Sequence, residues 1–329
     1  MNWKGHTVLV TGAGGFIGSH LTERLAELGA SVTAFVHYNA LGSRGWLETS
    51  PVVNHVRVVS GDIVDRDSVR EAMRETEVVF HLAALIAIPY SYHAPLSYAR
   101  TNIEGTLNVL QEARDLHVTR VVHTSTSEVY GTARYVPIDE AHPLRGQSPY
   151  AASKIGADKM VEAFYMSFGL PVVTVRPFNT YGPRQSLRAV VPTIISQCLA
   201  GGVVRLGNLQ PTRDLNFVTD TVDGFVRAAE APEAAGDTFN IGAGREISIG
   251  DLAALIARLT ASPLRLEHEE ARARPAASEV ERLLADNRRA AQVLGWRPTL
   301  SLEDGLGRTI DWIAQQHDTY GHGAGVFTL

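Results

Sequence analysis

One stretch near the start of the chain limits its fold more than any other: an apolar segment, a glycine-rich turn and an amphipathic segment in direct succession. Residues 7–11 (Thr-Val-Leu-Val-Thr) are typical of a buried strand, and the run from Ser19 to Leu28 predicts a helix. Between them, Gly12, Gly15 and Gly18 follow a Gly-x-x-Gly-x-x-Gly spacing. Such a turn lets a pyrophosphate approach the backbone and the positive end of the helix. The order of the three segments therefore predicts a dinucleotide site.

Strand-like and helix-like segments continue to alternate through residue 125. Further strands are predicted at 31–36, 55–59, 77–82, 119–124, 171–176 and 237–241, and further helices at 66–73, 95–116 and 149–168. This alternation predicts a Rossmann-type doubly wound α/β fold with a parallel sheet. Shorter, Gly- and Pro-punctuated segments then predict a smaller C-terminal substrate-binding lobe. We expect a dinucleotide-binding domain at 1–177 plus 235–242, a second lobe at 178–234 and 243–317, and a loose tail at 318–329.

The composition is that of an ordinary globular protein. The 329 residues are 45% hydrophobic and 20% charged, and a net charge of −5 gives no reason to expect nucleic acid or an anionic membrane as a partner. No apolar run reaches the roughly 18 residues of a membrane span, and no secretory segment precedes the first strand, so a cytoplasmic protein is expected. The single cysteine, Cys198, excludes an internal disulfide, and no metal site is predicted.

The second predicted strand ends without the carboxylate that usually holds an adenosine ribose. It is followed by His37, Tyr38, Asn39 and Arg44. NAD is expected, and NADP is the alternative because basic groups here can accept its 2′-phosphate. Asp62, after the third strand, is predicted either to accept a hydrogen bond from the adenine amine or to cap the following helix.

The residues with the clearest chemistry follow the strand at 119–124. That strand ends in hydroxyls and Glu128, at the edge where open α/β sheets bind ligands. Tyr150 and Lys154 lie four residues apart, so they share one face of a helix. A nearby ammonium favours phenolate and lowers the tyrosine pKa, so Tyr150 is predicted to take a proton from an alcohol near neutral pH. The alternative is an ordinary helix start with Ser148 as its N-cap.

Several arginines in the second half of the chain are candidates for nucleotide binding. Arg213 precedes an apolar strand, and Arg274 is followed by Glu279. An arginine fork suits a diphosphate, and a nearby carboxylate suits ribose hydroxyls. We therefore predict that these three residues bind the substrate.

Four longer stretches carry a resemblance to a known family. They are Ser-Glu-Val-Tyr-Gly at 127–131, Tyr-Ala-Ala-Ser-Lys-Ile-Gly-Ala-Asp at 150–158, Arg-Pro-Phe-Asn-Thr-Tyr-Gly-Pro-Arg-Gln at 176–185, and Thr-Arg-Asp at 212–214. With the glycine turn, they resemble the nucleotide-sugar branch of the extended short-chain dehydrogenase/reductases. The nearest resemblance is to bacterial NAD-dependent 4,6-dehydratases acting on UDP-N-acetylglucosamine-like sugars.

The resemblance implies a role for each catalytic candidate. Tyr150, assisted by Lys154, would take the proton of the sugar 4-hydroxyl while hydride leaves C4, and Thr126 would hydrogen-bond the same oxygen. Glu128 would then remove the C5 hydrogen, water would leave from C6 and the hydride would return there.

One departure from the family pattern keeps alternatives open. The dTDP-glucose 4,6-dehydratases carry an aspartate where this chain has Ser127, which is a much poorer acid but is still counted among the predicted catalytic residues. The same Ser-Glu pair occurs in UDP-glucuronate decarboxylases, so decarboxylation or 4-epimerisation is the alternative activity. A catalytically idle, dinucleotide-dependent binding or regulatory protein is the alternative of another class.

Two groups of residues complete the predictions. The helices near 95–116 and 149–168, the second with an apolar stripe, predict either burial on the sheet or a homodimer through a four-helix bundle. The remaining predicted cofactor contacts are Phe16, Ile17, Ile63, Leu82, Ala83, Ala84, Asn102, Thr124 and Pro177. The remaining predicted substrate contacts, for which a UDP-sugar is the expected ligand, are Ser91, Asn179, Arg184 and Val191.

Overall fold

A computed structural model describes residues 2–201, 203–316 and 320 of the chain. Apart from Tyr320, the predicted loose tail lies outside the described residues. Within these ranges, no helix combines the length and the apolar character needed to cross a bilayer.

A seven-stranded parallel sheet forms the centre of the molecule. Its strand order is β10-β6-β5-β4-β1-β2-β3, and every pairing in it is parallel. In chain order the strands are β1 (Thr7–Thr11), β2 (Ser31–His37), β3 (Arg57–Gly61), β4 (Val78–His81), β5 (Arg120–Thr124), β6 (Val172–Pro177), β7 (Asn179–Tyr181), β8 (Val204–Leu206), β9 (Thr212–Phe217), β10 (Thr238–Ile241), β11 (Glu246–Ser248) and β12 (Leu266–His268). The predicted Rossmann-type doubly wound fold is confirmed.

Helices pack on both faces of this sheet, and others pack against β8, β9 and β11. They are α1 (Phe16–Glu27), α2 (Arg66–Met73), α3 (Ile88–His93), α4 (Pro95–Tyr98), α5 (Gly105–Asp115), α6 (Pro149–Phe168), α7 (Val190–Leu199), α8 (Val218–Glu230), α9 (Ile249–Leu259), α10 (Arg288–Val293) and α11 (Leu302–Gln315). Side chains of β1 alternate between two cores: Val8 and Val10 pack with α1 and α8, while Leu9 packs with α2, α5 and α6. This alternation is what a strand buried on both faces requires.

Several predicted boundaries are corrected. Helix α1 begins at Phe16 rather than Ser19, because the glycine turn ends at Gly15, which is extended and occupies the N-cap. Strand β3 lies two residues later than predicted. The predicted helix at 95–116 contains a π-helical segment, Ala99–Glu104, between α4 and α5.

The second half of the chain adds two small sheets above the carboxyl edge of the large one. One has the order β11-β9-β7, and the other pairs β12 with β8. Strand β10 comes after β9 in the chain but pairs with β6 in the large sheet, where Thr238 lies opposite Thr174. The segments that carry Arg213 and Arg274 are thereby brought over the ends of β5 and β6.

Candidate active site

The glycine turn is shaped by contacts that leave no room for side chains. Gly12 has a φ of +71°, and a Cβ there would lie 2.9 Å from the backbone nitrogen of Ala83. A Cβ on Gly18 would collide with the carbonyl oxygen of Gly12. Gly15 makes no side-chain cap to α1, so the first-turn N–H groups of this helix are free of side-chain acceptors within the described structure. This close-approach turn at a helix N-terminus fits a dinucleotide pyrophosphate.

The segment after β2 folds back over this turn. The amide oxygen of Asn39 accepts from the backbone N–H groups of Leu41 and Ser43, at 3.2 and 3.0 Å. A Cβ on Gly14 would lie 2.6 Å from the carbonyl oxygen of Arg44. His37 ends β2, and Tyr38 is 68% exposed beside it. The predicted adenosine end is therefore an exposed loop that contacts the glycine turn.

Asp62 does not cap α2, so that alternative is wrong. Asp65 is the N-cap, since it directly precedes the helix in an extended conformation and accepts from Asp67 N. Asp62 instead accepts from Val64 N at 2.9 Å. Its neighbour Ile63 is buried against Gly105 of α5. The role of Asp62 toward adenine stays a prediction.

Helix α6 presents the tyrosine and lysine together. Ser148 caps the helix by accepting from Ala151 N at 3.1 Å, so the N-cap interpretation is confirmed, and it is compatible with the catalytic prediction. Tyr150 and Lys154 are both buried on its inner face. Lys154 Nζ donates to the carbonyl oxygen of Thr124 at 2.6 Å, which ties α6 to the end of β5.

The expected lowering of the tyrosine pKa is not found. Burial raises the pKa of Tyr150, and a hydrogen bond with Thr126 only partly opposes this. Burial also lowers the pKa of Lys154 to about 8, with the charge of Asp158 acting against it. The prediction considered only the ammonium, whereas desolvation is the larger effect on both groups.

The hydroxyl and the carboxylate that are predicted to be catalytic lie on one short turn after β5. Thr126 is the N-cap of the 3-10 helix Ser127–Tyr130, and its Oγ1 accepts from Glu128 N at 3.2 Å. Ser127 is 2% exposed and Glu128 is 8% exposed. Thr126 and Glu128 are thus rigidly placed relative to each other, next to Tyr150.

Three of the predicted substrate residues form one cluster with Glu128. Arg213 Nη2 donates to Glu279 Oε1 at 3.2 Å, and Arg274 Nη1 lies 3.6 Å from the same oxygen. Arg274 Nη1 is also 4.0 Å from Glu128 Oε1. Two arginines predicted to bind a diphosphate therefore adjoin the predicted base.

The other predicted substrate residues lie elsewhere or are engaged. Arg184 pairs with Glu23 of α1 at 2.8 Å, and its Nη1 donates to Ser19. Ser91 is fully buried and donates to Ile88 O. Val191 is buried in α7, whereas Asn179, on β7, has an amide oxygen with no partner among the described residues.

The other predicted cofactor residues are spread over several elements: Phe16 and Ile17 begin α1, and the rest follow β4, lie in the π-helical segment, or end β5 and β6. Asn102 lies in the π-helical segment, bonds both backbone groups of Leu85 at 2.9 and 3.0 Å, and donates to Ser153 at 2.9 Å. It thereby fixes the chain that follows Leu82, Ala83 and Ala84. Pro177 ends β6.

Sequence reasoning missed a hydrogen-bonded bridge that joins α3, the segment before α6 and the segment at 278–279. The region that these elements enclose with Tyr150 is called the cleft below. Tyr92 OH lies 2.6 Å from Ser278 Oγ, and Ser278 Oγ donates to Gln147 O at 2.6 Å. Gln147 Nε2 in turn donates to Glu279 O at 2.9 Å. Tyr92 directly follows the predicted Ser91, and Gln147 directly precedes the Ser148 cap. No spacing in the sequence pairs residues this distant.

The fold and this arrangement define a member of the extended short-chain dehydrogenase/reductases, in their nucleotide-sugar branch. Residues 9–309 match the family model described as GDP-mannose 4,6 dehydratase, and the chain belongs to that family. Its group contains dehydratases, epimerases and decarboxylases of nucleotide sugars.

Individual relatives agree over almost the whole chain. A UDP-glucose 4-epimerase of Mycolicibacterium smegmatis is 37% identical, over 92% of this chain and 97% of the relative. A dTDP-glucose 4,6-dehydratase of Streptomyces antibioticus is 35% identical, over 93% and 91%. The crystal structure of a dTDP-glucose 4,6-dehydratase from Streptomyces venezuelae with NAD bound matches with a TM-score of 0.87 and 30% identity, over 95% and 98%.

Proposed function

We propose that the protein is an NAD-dependent nucleotide-sugar 4,6-dehydratase that acts on a UDP-N-acetylhexosamine. The observation that carries the proposal is the carboxylate of Glu128, which shares a turn with Thr126 and adjoins Arg274. A simple 4-epimerase has no need for a carboxylate at this point. A dehydratase needs one to remove the C5 hydrogen. The relatives include both dehydratases and 4-epimerases, so the choice between these activities rests on Glu128.

The oxidation half of the reaction falls to Tyr150, Thr126 and Lys154. Tyr150 must first lose its phenolic proton; the phenolate then takes the proton of the 4-hydroxyl, and the Thr126 hydroxyl hydrogen-bonds the same oxygen. NAD, when bound, supplies a hydride acceptor that is reduced and reoxidised within one turnover. Burial raises the pKa of Tyr150, so the ammonium of Lys154 is needed to favour its proton transfer.

The elimination half falls to Glu128. A 4-keto group acidifies the C5 hydrogen, and Glu128 removes it. Two protons leave the sugar, from O4 and C5, and two return, to the departing hydroxyl and to C5, so the reaction is balanced without net redox. Ser127 is buried and its hydroxyl is a much poorer acid than a carboxylic acid, so we infer that Glu128 is the group that carries a proton to the departing hydroxyl.

Residues around the cleft support a UDP-sugar with a 2-acetamido group. Arg213 and Arg274 would hold the diphosphate, and Glu279 the ribose hydroxyls. Leu85, Ile88 and Tyr92 form an apolar group with Tyr98 against the ring of Tyr150, which suits an acetyl methyl beside the reacting sugar. The glycine turn and the loop after β2 would hold NAD. If the protein bound NADP more tightly than NAD, Arg44 would instead be expected to bind the 2′-phosphate of NADP.

The protein is further proposed to act as a homodimer through α5 and α6. In support, α6 exposes Met160, Met166 and Phe168, the last of them stacked under the guanidinium of Arg114 at 4.9 Å. Val161 and Phe164 on the same helix are buried, so the proposed dimer contact would use only the exposed apolar residues of α6. Light scattering of the purified protein tests this, and a monomeric mass would refute it.

Product analysis tests the activity directly. The protein is incubated with UDP-N-acetylglucosamine and NAD in deuterated water, and the sugar is analysed by mass spectrometry and NMR. Loss of one water with deuterium at C5 is expected. Carbon dioxide release from UDP-glucuronate would establish the decarboxylase instead, and an epimer of unchanged mass the 4-epimerase. Tight cofactor binding without turnover of any UDP-, dTDP-, GDP- or CDP-sugar would establish an idle binding protein.

A further inference from the structure

The buried face of α6 carries a carboxylate that the proposed chemistry does not use. Asp158 lies one helical turn after Lys154 and is 6% exposed. Its Oδ2 accepts from Ser125 Oγ at 2.8 Å and from Arg176 Nη2 at 2.9 Å. Its Oδ1 lies 3.2 Å from His123 Nε2. One helical carboxylate thus gathers side chains from β6 and from the end of β5.

The residues that contact Asp158 lie on both sides of the residue that Lys154 contacts. The carbonyl that accepts from Lys154 Nζ belongs to Thr124, the residue between His123 and Ser125. Any movement of the end of β5 away from Asp158 therefore moves the acceptor of the ammonium. Thr126 and Glu128 continue from the same strand end.

Charge adds to this geometric link. Lys154 is buried, and among the described residues Asp158 is the charge that counters the lowering of its pKa by burial. Burial opposes ionisation of Asp158 itself, yet the hydrogen bond from His123 and the charge of Arg176 hold its pKa at about 2. Asp158 is therefore a permanent negative charge at neutral pH.

The other ionisable groups around this pair do not replace that charge. Tyr150 on α6 is neutral in this structure because burial raises its pKa. Burial lowers the pKa of both His81 on β4 and His123 on β5, so each is neutral, and Arg176 on β6 is positive. Asp158 also lines a surface cleft with Glu140, Lys159 and Glu162, and none of these three charges contributes to the pKa of Lys154.

We propose that Asp158 is a positioning residue of this site: it holds the end of β5 against α6 and supplies the negative charge that keeps Lys154 an ammonium ion. The inference rests on the proposed roles of Tyr150 and Lys154. The competing interpretation is a purely structural ion pair between Asp158 and Arg176, which would leave the ionisation of Lys154 untouched.

The small number of lysines makes a direct test feasible. The chain has three, Lys4, Lys154 and Lys159, so protein labelled with ¹³C at lysine Cε gives three resolvable NMR signals, and loss of one in Lys154→Met assigns it. In Asp158→Asn the pKa of Lys154 is expected to fall by about one unit or more. Asp158→Glu, which keeps the charge, and Ser125→Ala, which removes only one donor, should leave it near the wild-type value. An unchanged Lys154 pKa in Asp158→Asn overturns the proposal.

The titration needs no substrate, so it is independent of the proposed activity. If the dehydratase activity is found, the alkaline limb of kcat in Asp158→Asn should move to lower pH by the same amount as the NMR pKa, and a limb that stays in place also overturns the proposal. If Asp158→Asn does not fold, the double variant Asp158→Asn/Arg176→Met removes both buried charges and is judged by the same NMR shift.

Discussion

The guanidinium of Arg274 lies 4.0 Å from the carboxylate of Glu128, so a residue predicted to bind the nucleotide touches the residue predicted to act on the sugar. Glu279 accepts from Arg213 and also adjoins Arg274, so the two arginines share one carboxylate. A diphosphate bound by these arginines would be placed within reach of the end of β5. Substrate binding and proton removal are therefore expected to be coupled through Arg274.

Replacing Arg274 by alanine should weaken substrate binding by about 1.5–3 kcal/mol, because a charge-assisted bond to a phosphate is lost. We expect a rise in KM by at least tenfold, measured with UDP-N-acetylglucosamine. Arg205→Ala is the matched control, since Arg205 forms an ion pair with Glu267 on the surface of the same lobe. An unaltered KM in Arg274→Ala would remove this residue from the binding site.

Glu128→Gln should stop the reaction after the first oxidation, because an amide cannot accept the C5 proton. The near-ultraviolet absorbance of reduced nicotinamide is expected to rise on adding substrate and to persist, while product formation falls by about a hundredfold or more. Glu162→Gln, an exposed residue of α6 paired with Lys159, should behave as wild type. Wild-type turnover by Glu128→Gln would exclude its role as base.

Tyr150→Phe should abolish the oxidation itself by removing the proton acceptor for the 4-hydroxyl. Turnover is expected to fall by about 10²–10⁴-fold, with no absorbance change on adding substrate and with NAD affinity, measured by calorimetry, near wild type. Tyr135→Phe, which loses only a surface hydrogen bond to Asp139, is the control. Wild-type turnover by Tyr150→Phe would contradict the role of Tyr150 as the proton acceptor.

Much of this site could be predicted from the sequence because its parts depend on local order. The glycine turn between β1 and α1 and the spacing of Tyr150 and Lys154 are set by residues close in the chain. Burial depends on residues that are distant in the chain. The predicted direction of the Tyr150 pKa shift was therefore wrong, because burial raises this pKa. The prediction that Asp62 caps α2 failed for a more local reason. The N-cap is the residue directly before the helix in an extended conformation, and that residue is Asp65.

Contacts between distant segments were beyond reach for a physical reason. The convergence of Asp158, Ser125 and Arg176 depends on the parallel pairing of β5 with β6, and periodicity carries no information on strand order. The link from Arg184 to Glu23 depends likewise on how the loop after β7 meets α1. The sequence suggested Arg184 as a substrate contact, but it could not show that Arg184 pairs with Glu23.

Tyr92→Phe should loosen the bridge over the cleft. Ser278 Oγ donates to Gln147 O, so its single hydrogen is used and Tyr92 is the donor in the 2.6 Å contact. Losing that donor frees the segment that leads into Glu279, and a several-fold rise in KM with little change in kcat is expected. Tyr90→Phe, on the same helix but 42% exposed, serves as control. Equal KM values in the two variants would show that the bridge does not order the cleft.

Lys154→Met should stabilise the protein, and the gain should fade as pH rises. The pKa of Lys154 is about 8 when folded, against 10.5 as its ordinary value, so between these pH values the unfolded chain binds more protons and wild-type stability rises with pH. Below pH 8 the full cost of the buried charge is present, at most roughly 3 kcal/mol. Urea unfolding of both proteins at pH 7 and pH 10 measures the difference between their free energies of unfolding. The titration of the other groups is common to both proteins and cancels in this difference. A stability difference that does not shrink at pH 10 would mean that Lys154 stays protonated in the folded protein throughout this range, as it does in the unfolded chain.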